Sequence, residues 1–294
     1  MAERGQAGPS ALSGPSDPAS PSLAPRKKQR TVGAPVVCHS DCVLTLKGVK
    51  DNSIRLVLAD PPYGIGVGGA KWDGDKGYMD FANAWLTEAV RVLQPGGTLL
   101  FFASPCTIWS SRVNVMLEDV FKLKHQQTLS WIYAQGGDSR LESMKQYAVR
   151  SEIIEWWIKA PGVPTFNPAL AAERYTEEDK KTALAKGVGR VSEESLEKGR
   201  PPRTWCDIPR ENSRSRERQY GKHPSMKPLM LCERLIAVHS NPGDRIIIPF
   251  AGSGSEVLTA AKLGREVVAC ETEAEYIALM QKRLPAHGVK AVFE

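Results

Sequence analysis

Asp60, Pro61, Pro62 and Tyr63 follow the apolar run Ile54-Arg55-Leu56-Val57-Leu58-Ala59, so a carboxylate and a phenol arrive where a buried strand would stop. The carboxyl ends of strands in open α/β sheets are where such proteins hold their ligands. Two prolines cannot continue a sheet ladder, and they leave the Pro61 carbonyl facing outward. A carboxylate and a carbonyl are pure acceptors, suited to the two hydrogens of an exocyclic amine, while a phenol ring can stack on a flat heterocycle. These residue types point to the amino group of a nucleobase. The tetrapeptide alone would also serve as an ordinary turn.

A second cluster decides between those readings. Residues 245 to 254, Arg-Ile-Ile-Ile-Pro-Phe-Ala-Gly-Ser-Gly, read as another buried strand entering a glycine turn, and Ser255 to Leu263 read as a helix. Glycines let a backbone approach a ligand closely, and a helix N-terminus offers unpaired N–H groups to an anion. One strand later, Glu266-Val267-Val268-Ala269-Cys270-Glu271 ends in an acid, placed as in nucleotide-binding folds to accept from ribose hydroxyls.

Together these residues resemble the beta group of DNA amino-methyltransferases, the N6-adenine and N4-cytosine enzymes that use S-adenosylmethionine. The resemblance runs from about Val36 to Leu284 and includes Asp-Pro-Pro-Tyr, the Phe-Ala-Gly-Ser-Gly turn and His223-Pro224-Ser225-Met226-Lys227-Pro228 between them. The catalytic motif precedes the cofactor motif, the permuted order of that group. The resemblance implies a Rossmann-like methyltransferase fold, a mostly parallel twisted sheet with helices on both faces and a small polar insertion.

It also implies roles. Asp60, Pro61, Pro62 and Tyr63 would be the catalytic set. Phe250, Gly252, Ser253 and Gly254 would shape the turn at the cofactor's methionine end, with Lys227, beside Ser225, meeting its carboxylate. Glu271 would hold the ribose and Asp41 would lie near the adenine, with Ser40 where the group has glycine; His223 would be structural. The group places an acid before Pro-Phe-x-Gly-x-Gly, where this chain has Ile248, and threonines where it has Ser255 and Glu256. Asp at the first catalytic position favours adenine N6 as the methyl acceptor on double-stranded DNA. N4-cytosine methylation, a DNA-binding protein with weakened catalysis and an RNA or protein-amide acceptor stay open.

The surrounding elements must position these groups. Strands are expected at Val36 to Cys38, Ser53 to Ala59, Thr98 to Ala103, Thr128 to Ala134 and Ile153 to Ala160. Phe81, Trp85, Ala89 and Val92 recur at helical spacing through Met79 to Leu93, and Gln94-Pro95-Gly96-Gly97 would end that helix in a turn. Strands alternating with helices imply an α/β sheet. Gly64, Gly66, Gly68 and Gly69, followed by Lys71-Trp72-Asp73, read as a loop able to close over a flipped base, since a base amine is inaccessible inside a duplex.

Four regions follow: a Pro/Gly/Ser/Ala-rich tail over 1–33, too poor in apolar residues to order itself, halves of one methyltransferase domain over 34–160 and 223–294, and an insertion over 161–222. In the insertion strand signals vanish, and two short polar helices are expected around Glu177 to Lys186 and Ser192 to Lys198. Its basic end carries Arg203, Arg210, Arg214, Arg216, Arg218 and Lys222 with Trp205 and Tyr220 interleaved, a pattern that can neutralise phosphates and stack on bases. By resemblance this is the target-recognition position.

A formal net charge of +6 and a pI near 9.0 agree with a polyanionic partner. The six cysteines show no Cys-x-x-Cys spacing, so reduced thiols and no metal are expected. No apolar run is long enough for a membrane span, and the first thirty residues lack a signal-peptide core. A cytoplasmic protein of a bacterial cell, associated with the nucleoid, is expected; Arg26-Lys27-Lys28-Gln29-Arg30 leaves a nuclear location as the alternative. The resemblance also implies that two copies can pair as a homodimer.

Overall fold

The structure, a computed structural model, describes residues 32–66, 74, 76–133, 145, 147–185, 192–211 and 215–294. Most of the tail with its basic run, Gly68, Gly69, Lys71-Trp72-Asp73 and Arg214 lie outside these residues.

Nine strands form one sheet: β1 (Val36–His39), β2 (Ile54–Ala59), β3 (Leu93–Ala103), β4 (Lys124–Ile132), β5 (Ser151–Ile158), β6 (Trp205–Asp207), β7 (Arg245–Ile248), β8 (Glu266–Glu271) and β9 (Val292–Phe293). Their order is β6-β4-β5-β3-β2-β7-β8-β1-β9, and β5 alone among them runs against its neighbours. The helices are α1 (Cys42–Lys47), α2 (Tyr78–Val92), α3 (Trp109–Asp119), α4 (Glu177–Ala185), α5 (Glu193–Lys198), α6 (Leu229–His239), α7 (Ser255–Lys262) and α8 (Ala274–Ala286).

Alternation along each strand builds two cores. Val57, Ala59, Leu99, Phe101 and Ile247 face α1, α2 and α3, while Leu56, Leu58, Leu100, Phe102, Ile246 and Ile248 face α6, α7 and α8. A strand segment covered on both faces is apolar at nearly every position, which is why Leu56 to Ala59, Leu99 to Ala103 and Ile246 to Ile248 read as unbroken hydrophobic runs. The α2 stripe that holds Trp85 and Ala89 packs into the first of these cores.

Strand order also creates the crevice. Strands β2 and β7 are parallel neighbours, but the chain leaves β2 through α2 to β3 on one side and leaves β7 through α7 to β8 on the other. The connections diverge, so a gap opens beyond the carboxyl ends of these two strands, the switch point where open α/β sheets bind ligands.

Several boundaries differ from expectation for identifiable reasons. Gln94-Pro95-Gly96-Gly97 does not form a separate turn: β3 starts at Leu93, opposite Ile54, with a register shift before Leu56. Gly96 at φ +74° absorbs the irregularity while its N–H donates to the Lys159 carbonyl at 2.7 Å. Strand β4 begins at Lys124 rather than Thr128 and ends at Ile132. Its first residues are polar and exposed because β6 covers it only from Ser130 to Ile132. Strand β5 is shifted to Ser151–Ile158. The expected lack of strands in the insertion is also corrected, since Trp205–Asp207 joins the sheet; three residues are too short to show an alternating pattern.

Candidate functional site

The expected site residues converge. One cavity of about 200 Å³ is lined by Asp41 after β1, Asp60, Pro61, Pro62 and Tyr63 after β2, Phe250, Gly252 and Ser253 after β7, Glu271 at the end of β8, and Ser225 and Lys227 from the loop before α6. Gly254 stands just behind this wall as the N-cap of α7, at φ +78°. Residues nearly two hundred positions apart thus form one chamber. Helix α7 aims its first-turn N–H groups toward the glycine bend.

At its inner wall the chamber carries a compact charged network. Lys227 Nζ lies 2.7 Å from Asp60 Oδ2 and 3.1 Å from Glu152 Oε2, and the Tyr63 hydroxyl lies 2.7 Å from Asp60 Oδ1 and 2.9 Å from Glu152 Oε2. Lys227 was expected to meet a ligand carboxylate. The structure pairs it with two carboxylates of the chain itself, because a cation only 2 % exposed must be neutralised locally. Burial works to lower the Lys227 ammonium, but Asp60 and Glu152 outweigh it and hold the group above its ordinary value. Burial raises the Asp60 carboxyl, Lys227 opposes that rise, and Glu152 adds to it. Burial and the two carboxylates likewise drive the Tyr63 phenol well above its usual range. Each Asp60 oxygen accepts from one partner, and since a carboxylate offers about four acceptor sites, capacity remains for a ligand amine.

Glu152 was missed in the sequence. Its signal was one of two acids in a mostly apolar strand, Ser151-Glu152-Ile153-Ile154-Glu155-Trp156-Trp157-Ile158. Glu155 on the same strand accepts from Asn114 Nδ2 at 2.9 Å and Thr128 Oγ1 at 2.7 Å, and belongs to a separate network.

The other end of the chamber is built from backbone. Glu271 accepts from the N–H groups of Gly252 at 2.7 Å, Thr272 at 2.8 Å and Glu273 at 2.9 Å, which ties the glycine bend to β8. Neither glycine of the bend can carry a side chain: Gly252 is at φ +49° with His223 Nε2 2.8 Å from where a Cβ would stand, and at Gly254 a Cβ would lie 2.6 Å from Met280 Cγ. Arg283, fully buried, donates to the Ser253 carbonyl at 2.9 Å and pairs with Glu217 at 2.8 Å. Phe250 stands edge-on to Trp85, 5.4 Å between ring centres. Asp41 caps α1, its Oδ1 accepting from Val43 N–H at 2.8 Å. His223, which also lines the chamber, is buried against Tyr276, its Nδ1 accepting from Ser225 N–H at 3.3 Å.

The basic residues of the insertion separate into two kinds. The Arg218 guanidinium donates to the carbonyls of Glu211 at 2.8 Å and His223 at 2.9 Å, and Arg203 pairs with Glu173 at 2.6 Å while lying 3.8 Å over the Trp205 ring. Both make contacts within the fold, and Arg203 remains exposed. Arg210 sits over the Tyr133 ring, 4.7 Å from its centre, whereas Arg216 and Lys222 are exposed.

Two buried imidazoles give a pH dependence. Burial pushes His223 and His239 down to about 3 from an ordinary 6.5. Between those values the unfolded chain binds protons that the folded chain refuses, so stability present above pH 6.5 is lost as pH falls. Urea unfolding is expected to show a decline of about 1.4 kcal/mol per pH unit for each histidine below pH 6.5. A His239→Phe variant whose stability falls as steeply as the parent's would show that this residue does not contribute.

Residues 54–282 match a family described as DNA methylase. The chain is 29% identical over 254 residues to the Type II methyltransferase M.HpaI of Haemophilus parainfluenzae, an alignment covering 85% of this chain and 73% of that protein. It is 30% identical over 258 residues to the DNA adenine methyltransferase YhdJ of Escherichia coli (strain K12), covering 85% and 83%. Its fold resembles the solved structure of the PvuII DNA methyltransferase (cytosine-N4-specific) with a TM-score of 0.65 at 18% identity, covering 86% of this chain and 87% of that one.

Proposed function

This chain belongs to the DNA methylase family of N6-adenine and N4-cytosine enzymes, and from that membership we propose that it transfers a methyl group from S-adenosylmethionine to the N6 amine of an adenine flipped out of double-stranded DNA. The observation that carries this reading is the shared chamber, with Asp60 and the Gly252 bend facing one space at the ends of neighbouring strands.

The residues present fit the cofactor. The positive-φ glycines keep the bend bare for close approach, and Asp41 and Glu271 supply acceptors at the far side. When bound, S-adenosylmethionine supplies an electrophilic methyl on a sulfonium. Asp60 and the Pro61 carbonyl accept the two N–H bonds of the incoming amine, hold its nitrogen in line and stabilise the positive charge that develops on it. Lys227 and Tyr63 fix the Asp60 carboxylate in place for that task. Extruding the base costs a few kcal/mol, which stacking in the chamber must offset, and the Tyr63 ring is the surface for it.

In the same reading, 34–160 and 223–294 form the methyltransferase domain and 161–222 the target-recognition insertion, with Arg216 and Lys222 the exposed phosphate contacts from its end. The protein acts on DNA in a bacterial cytoplasm, as a monomer or a pair. Among the described residues no helix is long and apolar enough to cross a membrane.

Incubation with duplex DNA and methyl-labelled S-adenosylmethionine, followed by digestion to nucleosides and mass spectrometry, is expected to place the label on N6-methyladenine. Label found only on N4-methylcytosine would overturn the choice of base. Labelled structured RNA beside unlabelled duplex would overturn the choice of DNA.

A further inference from the structure

Glu256, in the first turn of α7, lines the chamber with 4 % of its surface exposed. Its Oε1 has no hydrogen-bond partner, and it is the one buried carboxylate oxygen in that condition among the described residues. The neighbouring acids of the chamber differ: Asp60 is held by Lys227 and Tyr63, Glu271 by three backbone N–H groups, and Asp41 by the start of α1. A buried acceptor without a donor is a site prepared for one, since the group loses its hydration and gains nothing in return.

Burial, then the charge of Asp60, raises the Glu256 carboxyl to about 7, against the opposing influence of its own backbone N–H, Lys227 and Arg283. A cation placed against it would return the carboxylate form. Of the two positive groups on S-adenosylmethionine, the sulfonium has no hydrogen to donate, while the α-ammonium has three. Ile248, where the resemblance implies an acid, is fully buried in the core against α6, α7 and α8 and does not line the chamber. The chain therefore carries an acid near the bend, eight residues later in sequence than the resemblance would place it.

We propose that Glu256 binds the α-ammonium of the methionine moiety of S-adenosylmethionine. This rests on the cofactor assignment made above.

Calorimetric titration separates the two. The ligands are S-adenosylmethionine and its analogue with hydrogen in place of the α-amino group. The parent chain is expected to prefer the amine by roughly 10- to 100-fold, the range of one charge-assisted hydrogen bond. Glu256→Gln and Glu256→Thr are expected to lose that preference while still binding the analogue as the parent does, with thermal unfolding confirming that each is folded. A parent chain that binds the two ligands equally overturns the inference with no variant needed. A folded variant that keeps the preference overturns it as well, leaving the cofactor assignment intact. A parent chain that binds neither ligand removes the cofactor assignment and the inference together.

Discussion

Replacing Asp60 with alanine is expected to lower the rate of methyl transfer by about 10²- to 10³-fold, with affinity for S-adenosylmethionine changed by no more than about threefold. The carboxylate faces the chamber, and in the proposed reaction the amine develops its charge against it, so its contribution is larger in the transition state than in the resting complex and the loss should fall on kcat. Asp60→Asn keeps one acceptor of similar shape and should lie between the two. Single-turnover transfer from labelled cofactor to duplex DNA, beside calorimetric titration of the cofactor, gives both readings. An alanine variant with parental single-turnover rates would remove Asp60 from the chemistry.

Lys227→Met is expected to destabilise the fold by about 3–5 kcal/mol, the cost of stranding buried charge after one partner is removed. Methionine fills similar volume, so packing is not the main loss. What remains is a pair of carboxylates, Asp60 and Glu152, both previously held by one ammonium. In the variant one of the two must take up a proton, which raises its folded-state pKa above the unfolded value. The folded variant then binds more protons than the unfolded chain, so the deficit should shrink as pH falls from 8 towards 5. Urea unfolding of parent and variant at both ends of that range measures this. A deficit under 1 kcal/mol, or one that grows on acidification, would show that Lys227 does not neutralise the pair.

The two experiments bear on one arrangement. Tyr63, Lys227 and Glu152 each touch either Asp60 or its partner, so the Asp60 carboxylate is set by a network drawn from the loops after β2 and before α6 and from β5. Non-additive effects are expected within such a group, and the double variant should lose less than the sum of the single ones.

The chain's order alone determined a good deal of this. Val57 and Ala59, Leu99 and Phe101, or Ile246 and Ile248 are apolar because both faces of a parallel sheet are covered, and that covering leaves its mark residue by residue. Asp60 after β2, the glycines after β7 and Glu271 at the end of β8 were likewise legible, because ligand-binding groups at strand ends are punctuated by Pro and Gly. Local chemistry reports local structure. Three things were decided only by the tertiary fold. Strand β6 exists because Ser130 to Ile132 offered an edge to pair with, not because Trp205-Cys206-Asp207 carries a pattern of its own. A second partner of Lys227 came from β5, seventy-five positions away, where Glu152 lies just ahead of the strand expected from Ile153. The isolation of Glu256 depends on which neighbours fail to reach it, and the absence of a contact has no signature in a string of residues. Pairings between distant segments are set by how the sheet and helices close around one another, and that closure is a property of the whole chain.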